Sequence, residues 1–111
     1  MGITVDERFH PDLTEAVRRL VEHFQPERIY LFGSRARGDH REDSDYDILV
    51  VVRESGEPYL DRMRTASRLI RDLLVPTQVV VVTIEEFERD APVVSSLPDR
   101  VSHEGLILYA A

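Results

Sequence analysis

Arg28-Ile29-Tyr30-Leu31-Phe32-Gly33-Ser34-Arg35-Ala36-Arg37-Gly38, followed across a short polar loop by Ser44-Asp45-Tyr46-Asp47-Ile48-Leu49-Val50-Val51-Val52, decides the reading of this chain. Arg28 to Phe32 is an apolar run that ends at a glycine, and Ile48 to Val52 is β-branched and continuous. Both read as buried strands, the second as a central one. Between them lie arginines, glycines and carboxylates, the residue types that handle phosphates and divalent metal. Side chains alternate along a strand, so Asp45 and Asp47 point to one face and converge.

Outward from this stretch, Pro11 suits the first turn of a helix, and Leu13, Ala16, Val17, Leu20, Val21 and Phe24 form one apolar stripe. Pro26 ends that helix. After the breaker Ser55-Gly56-Glu57-Pro58, the pattern predicts a second helix from about Tyr59 to Leu74, with Leu60, Met63, Ala66, Ile70, Leu73 and Leu74 inward. Thr77 to Val82 then predicts a third strand, apolar on both faces and therefore interior to the sheet. Thr83-Ile84-Glu85-Glu86 is a capping-box pattern that starts a short helix. Between Ala91 and Gly105 the signal weakens, with Pro92 and Pro98 interrupting any long helix, and Leu106 to Tyr109 predicts a short edge strand.

This order fixes a geometry. The second and third strands flank a helix, so they run parallel with a right-handed crossover. Asp45 and Asp47 open one strand and Gln78 opens the other, at the same edge of the sheet. An antiparallel first strand delivers Gly33 and Ser34 to that edge too. One corner collects the unusual residues.

Length and composition bound the class. At 111 residues, 42% apolar and 32% charged, the chain reads as one domain over residues 1–111, with residues 1–10 as a loose N-terminal arm. No apolar run approaches a membrane span, and Met1 to Asp6 shows no secretory signal. With no cysteine, the chain suits a reducing cytoplasm, so the expectation is a cytoplasmic protein without membrane contact. A net charge of −7 argues against broad nucleic-acid binding, although local arginines and a metal still allow a nucleotide. The sequence leaves the oligomeric state open.

Taken singly, the parts are weak. Gly33-Ser34 alone is a turn, Arg35 and Arg37 alone are solvated loop charges, and Asp-x-Asp alone is a strand entrance. Together they supply two same-facing carboxylates beside an anion-binding turn, the donor set that magnesium shares with phosphates. His10, His23, His40 and His103 lack metal-ligand spacing, and Arg37-Gly38-Asp39 is a coincidental match to an adhesion tripeptide. No Gly-Lys-Ser/Thr follows the glycines, which excludes a P-loop.

Gly33-Ser34, ten residues, then Asp45-Tyr46-Asp47 resembles the G-S-x10-D-x-D signature of the DNA polymerase β-like nucleotidyltransferases. The fuller Gly-Ser-Arg-Ala-Arg-Gly and Ser-Asp-Tyr-Asp blocks are similar to the minimal nucleotidyltransferases (MNT) of that superfamily, over roughly Leu13 to Glu88. The resemblance implies an α/β nucleotidyltransferase fold, a short mixed sheet packed against helices. It implies ATP held with Mg2+, and transfer of a nucleoside monophosphate to a hydroxyl of a partner protein. That partner is a helical HEPN toxin, which the antitoxin adenylylates on a tyrosine. On this resemblance Asp45 and Asp47 bind metal, Gly33 and Ser34 cradle the phosphates, and Arg35 or Arg37 stabilises charge. One position departs: where the family places a third carboxylate, this chain has Gln78, which brings no charge and cannot act as a base. Transfer therefore competes with a second reading, a silent nucleotide-binding module that neutralises a partner by occlusion. A small-molecule modifier is the distant third, because the chain is short for that role.

Overall fold

The computed structural model describes residues 2–111. Tyr46–Val52 forms strand β3, buried at every position but Asp47, because helices cover both faces of the sheet at this strand. Before it come β1 (Gly2–Ile3), α1 (Asp12–Phe24), β2 (Arg28–Phe32) and the single turn α2 (Ser34–Arg37). After it come α3 (Tyr59–Ile70), β4 (Thr77–Thr83), α4 (Ile84–Asp90), α5 (Leu97–Glu104) and β5 (Leu106–Ala110). The five strands make one mixed sheet in the order β1-β5-β2-β3-β4.

Alternation along β3 divides the core. Ile48, Val50 and Val52 face α1 and α3, packing with Leu13, Val17, Leu20, Ala66 and Ile70. Leu49 and Val51 face α4 and α5, packing with Phe87, Leu97 and Val101. The result is three layers, helices on each side of a mixed sheet, as expected for a nucleotidyltransferase fold. The β3–β4 pair is parallel, as the sequence predicts, and the β2–β3 pair is antiparallel, with Phe32 opposite Asp47 and Asp47 opposite Gln78.

Several expectations are corrected. The N-terminal segment is no loose arm over its described residues: Gly2 and Ile3 pair with Ala110 and Tyr109. Phe9 is buried edge-on against Tyr46, with ring centroids 6.0 Å apart. A two-residue strand and a lone aromatic leave no periodicity to read. β4 is the sheet's edge, not its interior, since it pairs with β3 alone among the described strands. Its valines face α3 on one side and α4 on the other, so an edge strand is apolar on both faces. The C-terminal β5 sits inside the sheet, between β1 and β2. α3 ends at Ile70 rather than Leu74; its buried stripe is Arg62, Thr65, Ala66 and Ile70, whereas Leu60 on it and Leu74 beyond it are exposed. The helix is rotated because Arg62 is drawn inward by Glu86 and Val81. Pro98 does not interrupt a helix but occupies the first turn of α5, where its missing N–H is no loss.

Candidate active site

The corner is built from the end of β2, the turn after it, and the starts of β3 and β4. Phe32 hands the chain to Gly33, whose φ of +75° lies in the left-handed region that favours glycine. A Cβ at Gly33 would sit 2.2 Å from Asp47 Oδ2, so the absent side chain is what lets the turn lie against the carboxylate. The sequence suggests a loop here. Instead Ala36 and Arg37 donate N–H bonds back to Gly33 O, each at 3.1 Å, which winds Ser34–Arg37 into one helical turn.

Asp45, Asp47 and Gln78 come together as expected. Gln78 lies opposite Asp47 in the parallel register, and its Nε2 donates to Asp45 Oδ2 at 3.3 Å. Burial pushes the Asp47 carboxyl above the usual carboxylate range, and the charge of Asp45 pushes it further. Arg100 and Arg37 oppose that shift, and Glu104 adds slightly to it. Two same-facing carboxylates, one held against its preference for ionisation by burial, are an oxygen donor set that a divalent cation would relieve. Mg2+ fits these residues. Among the described residues no third His, Cys, Asp or Glu joins them in a metal-binding group.

The two arginines of the turn diverge. Arg37 Nη1 donates to Glu104 Oε2 at 2.7 Å and its Nε to Asp39 Oδ2 at 3.2 Å, so it lies among the charges that act on Asp47. Arg35 instead donates to the carbonyls of Ser44 and Glu42 and lies over the Tyr46 ring, 4.6 Å from its centroid. Tyr46 alternates with Asp45 and Asp47 and packs with the α1 side of the core. Arg35 therefore braces the loop that delivers the aspartates, rather than facing them.

Arg100 and Glu104, both on α5, are the site neighbours that the sequence does not suggest. A signal for their helix was there: Ser96 accepts from Asp99 N–H as an N-cap, with Pro98 in the first turn. Nothing in the pattern tells that α5 docks beside the corner, where the Arg100 guanidinium lies 5.7 Å from the Phe32 ring centroid. Of the histidines, His10 Nδ1 accepts from Asp12 N–H at 3.0 Å, and His103 sits by Asp99 on α5.

A glycine turn pressed against paired aspartates on a three-layered mixed sheet defines a nucleotidyl-transferring class of protein. Comparison with known proteins agrees: residues 13–103 match the nucleotidyltransferase domain family, and the chain belongs to it. It fits the minimal members of the polymerase β-like superfamily. Two proteins of Methanocaldococcus jannaschii, both named "Putative protein adenylyltransferase", are similar. One is 37% identical over 84 residues, covering 74% of this chain and 77% of the relative. The other is 57% identical over 28 residues, 25% of this chain and 28% of the relative's length. The solved structure of "a putative nucleotidyltransferase" from Sulfolobus solfataricus superposes with a TM-score of 0.59 at 32% identity, over 84% of this chain and 72% of that one. A toxin–antitoxin structure with AMP-PNP shares the fold, with a TM-score of 0.54 at 20% identity over 87% and 73% of the two chains.

Proposed function

We propose that this chain, as one domain, binds ATP with Mg2+ at the Asp45–Asp47 corner and transfers the nucleoside monophosphate to a hydroxyl of a partner protein. In this reading it is the cytoplasmic antitoxin of a HEPN-type helical toxin. The observation that carries the reading is the contact between the Gly33 turn and Asp47, where a methyl group would lie 2.2 Å from Oδ2. The phosphate-binding turn and the metal-binding carboxylate are one unit. The names of the relatives and the AMP-PNP of the toxin–antitoxin neighbour support adenylylation as the chemistry.

Asp45 and Asp47 hold the cation, and Gly33 and Ser34 receive the phosphates, with the first N–H groups of the turn free of helical partners. Magnesium held by Asp45 and Asp47 would supply charge neutralisation at the phosphates; the acceptor oxygen attacks the α-phosphorus and pyrophosphate departs. In this reading Arg37, whose guanidinium bonds Glu104 and Asp39, meets the developing negative charge. Arg35 holds the loop. Gln78 cannot take the acceptor's proton, so that proton leaves through water or a group the partner brings.

A second reading, a silent binding module, is favoured by one observation: Gln78 spends its amide N–H on Asp45 and offers no base. Labelled ATP and magnesium, incubated with a purified HEPN partner, separate the two. Label on the partner, lost in Asp45→Asn, supports transfer. ATP binding by titration with no label on any partner overturns transfer and leaves the module.

A further inference from the structure

The outer edge of β4 is open at its start and closed further along. Tyr46 N–H donates to Pro76 O at 2.9 Å, and backbone groups of a parallel strand alternate in direction. Thr77, Val79 and Val81 therefore present their N–H and C=O away from β3. At Val81 the edge is shut by Arg62, 5% exposed, which donates to Val81 O at 3.0 Å and is itself held by Glu86. At Thr77 and Val79 no such cover exists among the described residues. A cleft of about 470 Å³ opens there, floored by Met63, Ile70 and Val79 and rimmed by Leu74 and Arg71. Leu74 is 82% exposed. Arg62 and Arg64 of α3 have carboxylate partners, whereas Arg68 of that helix and Arg71 just past its end have none among the described residues.

We infer that this open edge receives a short extended segment of the acceptor protein, added to the sheet beside Thr77–Val79 and acidic where it passes Arg71. The inference rests on the transferase reading above and specifies how the acceptor is held. Strand addition supplies main-chain hydrogen bonds, and alternate side chains supply selectivity. One set of alternate residues fills the cleft under α3, on the face that Val79 and Val81 share with the main core. The residue between them lies beside Gln78, on the face of Asp45 and Asp47. Strands lie ~4.8 Å apart, so two spacings, roughly 10 Å, separate the added strand from β3. A tyrosine there carries its hydroxyl further across that gap toward the corner than a serine or threonine would.

The closed half of the edge selects this occupant. Arg62 blocks pairing at Val81, so the seven-residue β4 of a second copy cannot pair along its length. A segment of a few residues fits. An unpaired guanidinium at the rim of a chain with net charge −7 marks the acidic end of that segment.

The test uses fluorescein-labelled peptides and the full chain. The probe is Glu-Val-Tyr-Val-Glu, compared with Lys-Val-Tyr-Val-Lys and with versions N-methylated on one or the other alternate set of residues. By anisotropy without nucleotide, the acidic peptide should bind about tenfold tighter than the basic one. Exposed Arg71 should accept Arg71→Glu without unfolding, and that variant should reverse the order. N-methylation of one set should abolish binding and of the other leave it. Equal binding by acidic and basic peptides, an order unchanged in Arg71→Glu, tolerance of both methylations, or no binding at all overturns the inference. So does a concentration-dependent dimer, seen by sedimentation and lost in Leu74→Asp, because a second copy then holds the edge. Peptide binding without label transfer from ATP leaves the docking edge standing and counts against the transferase reading instead.

Discussion

The side-chain amide of Gln78 donates to the carboxylate of Asp45 across 3.3 Å, from the neighbouring parallel strand. A carboxylate only accepts hydrogen bonds, so the amide presents its nitrogen, and its oxygen, the atom that could ligate a metal, is turned away. Gln78 thus partly offsets the negative charge of Asp45, which a third carboxylate there could not do. The same residue leaves the corner without a base.

Gln78→Asp exchanges these properties. Three carboxylates would then share the corner, and their repulsion should lower the melting temperature of the metal-free protein. Magnesium should restore it and bind more tightly than to wild type. If wild type transfers nucleotide, the variant should do so faster, by the ~10²–10⁴-fold typical of a positioned base. A wild type already as fast as the variant would show that no base is needed at this position.

Gly33→Ala tests the contact that joins turn and metal site. The new Cβ meets Asp47 Oδ2 at 2.2 Å, and the φ of +75° is strained for any L side chain. We expect a loss of about 1–3 kcal/mol in urea unfolding, the range for a strained backbone position. Magnesium-dependent ATP binding should weaken as well, because Asp47 must move. Unchanged stability and binding together would mean that Gly33 does not fix the aspartate.

The contrast between Asp47 and Arg100 shows what was legible in the sequence. Asp45, Asp47, Gly33 and Gln78 could be placed because strand alternation and one βαβ crossover determine which edge and face they share. The same reasoning puts Arg35 and Arg37 in the turn, but the sequence does not show that Arg35 turns back to its own loop while Arg37 meets Glu104. Arg100 and Glu104 reach the corner through the docking of α5, a long-range packing event with no local pattern. Edge and interior strands were misread for a related reason. Valines covered by helices on both faces look alike wherever the strand lies, so β4 read as interior, and short β5 read as an edge although β1 flanks it.

Asp47→Asn should separate stability from binding. Burial and Asp45 push the Asp47 carboxyl upward, so the folded chain holds this proton more tightly than the unfolded chain. The associated stability is present below the ordinary carboxylate pKa and is lost as pH rises through the raised value. At neutral pH the variant removes a carboxylate that folding disfavours, so the metal-free protein should melt higher than wild type. Its magnesium-dependent ATP affinity should fall at least about tenfold, or ~1.4 kcal/mol. Equal melting temperatures of the two metal-free proteins at neutral pH, or equal ATP affinity in calorimetric titration, would contradict the assignment.

The Arg62–Glu86 pair gives the acid-side prediction. Arg62 donates to both Glu86 oxygens, at 2.7 and 3.1 Å, and to the carbonyls of Val81 and Glu57. Glu86 also accepts from Thr83 N–H at 2.8 Å, closing the capping box of α4. One ion pair therefore ties α3, β4 and the start of α4 together. The hydrogen bonds from Arg62 are the main reason the Glu86 carboxyl is held down to about 2, from an ordinary value of 4.5. A lowered carboxylate contributes stability that is whole above the unfolded value and fades as pH falls toward the folded one. Wild type should therefore lose this contribution progressively between pH 4.5 and about 2. Glu86→Gln should be less stable at neutral pH and should lose less on acidification. Arg62→Met should lose about 3 kcal/mol, the lower end for breaking a buried pair, because the Glu86 side chain stays 25% exposed and partly hydrated. Urea unfolding from neutral to acid pH reads both effects. An acid limb equally steep in wild type and Glu86→Gln would assign the acid sensitivity to other carboxylates.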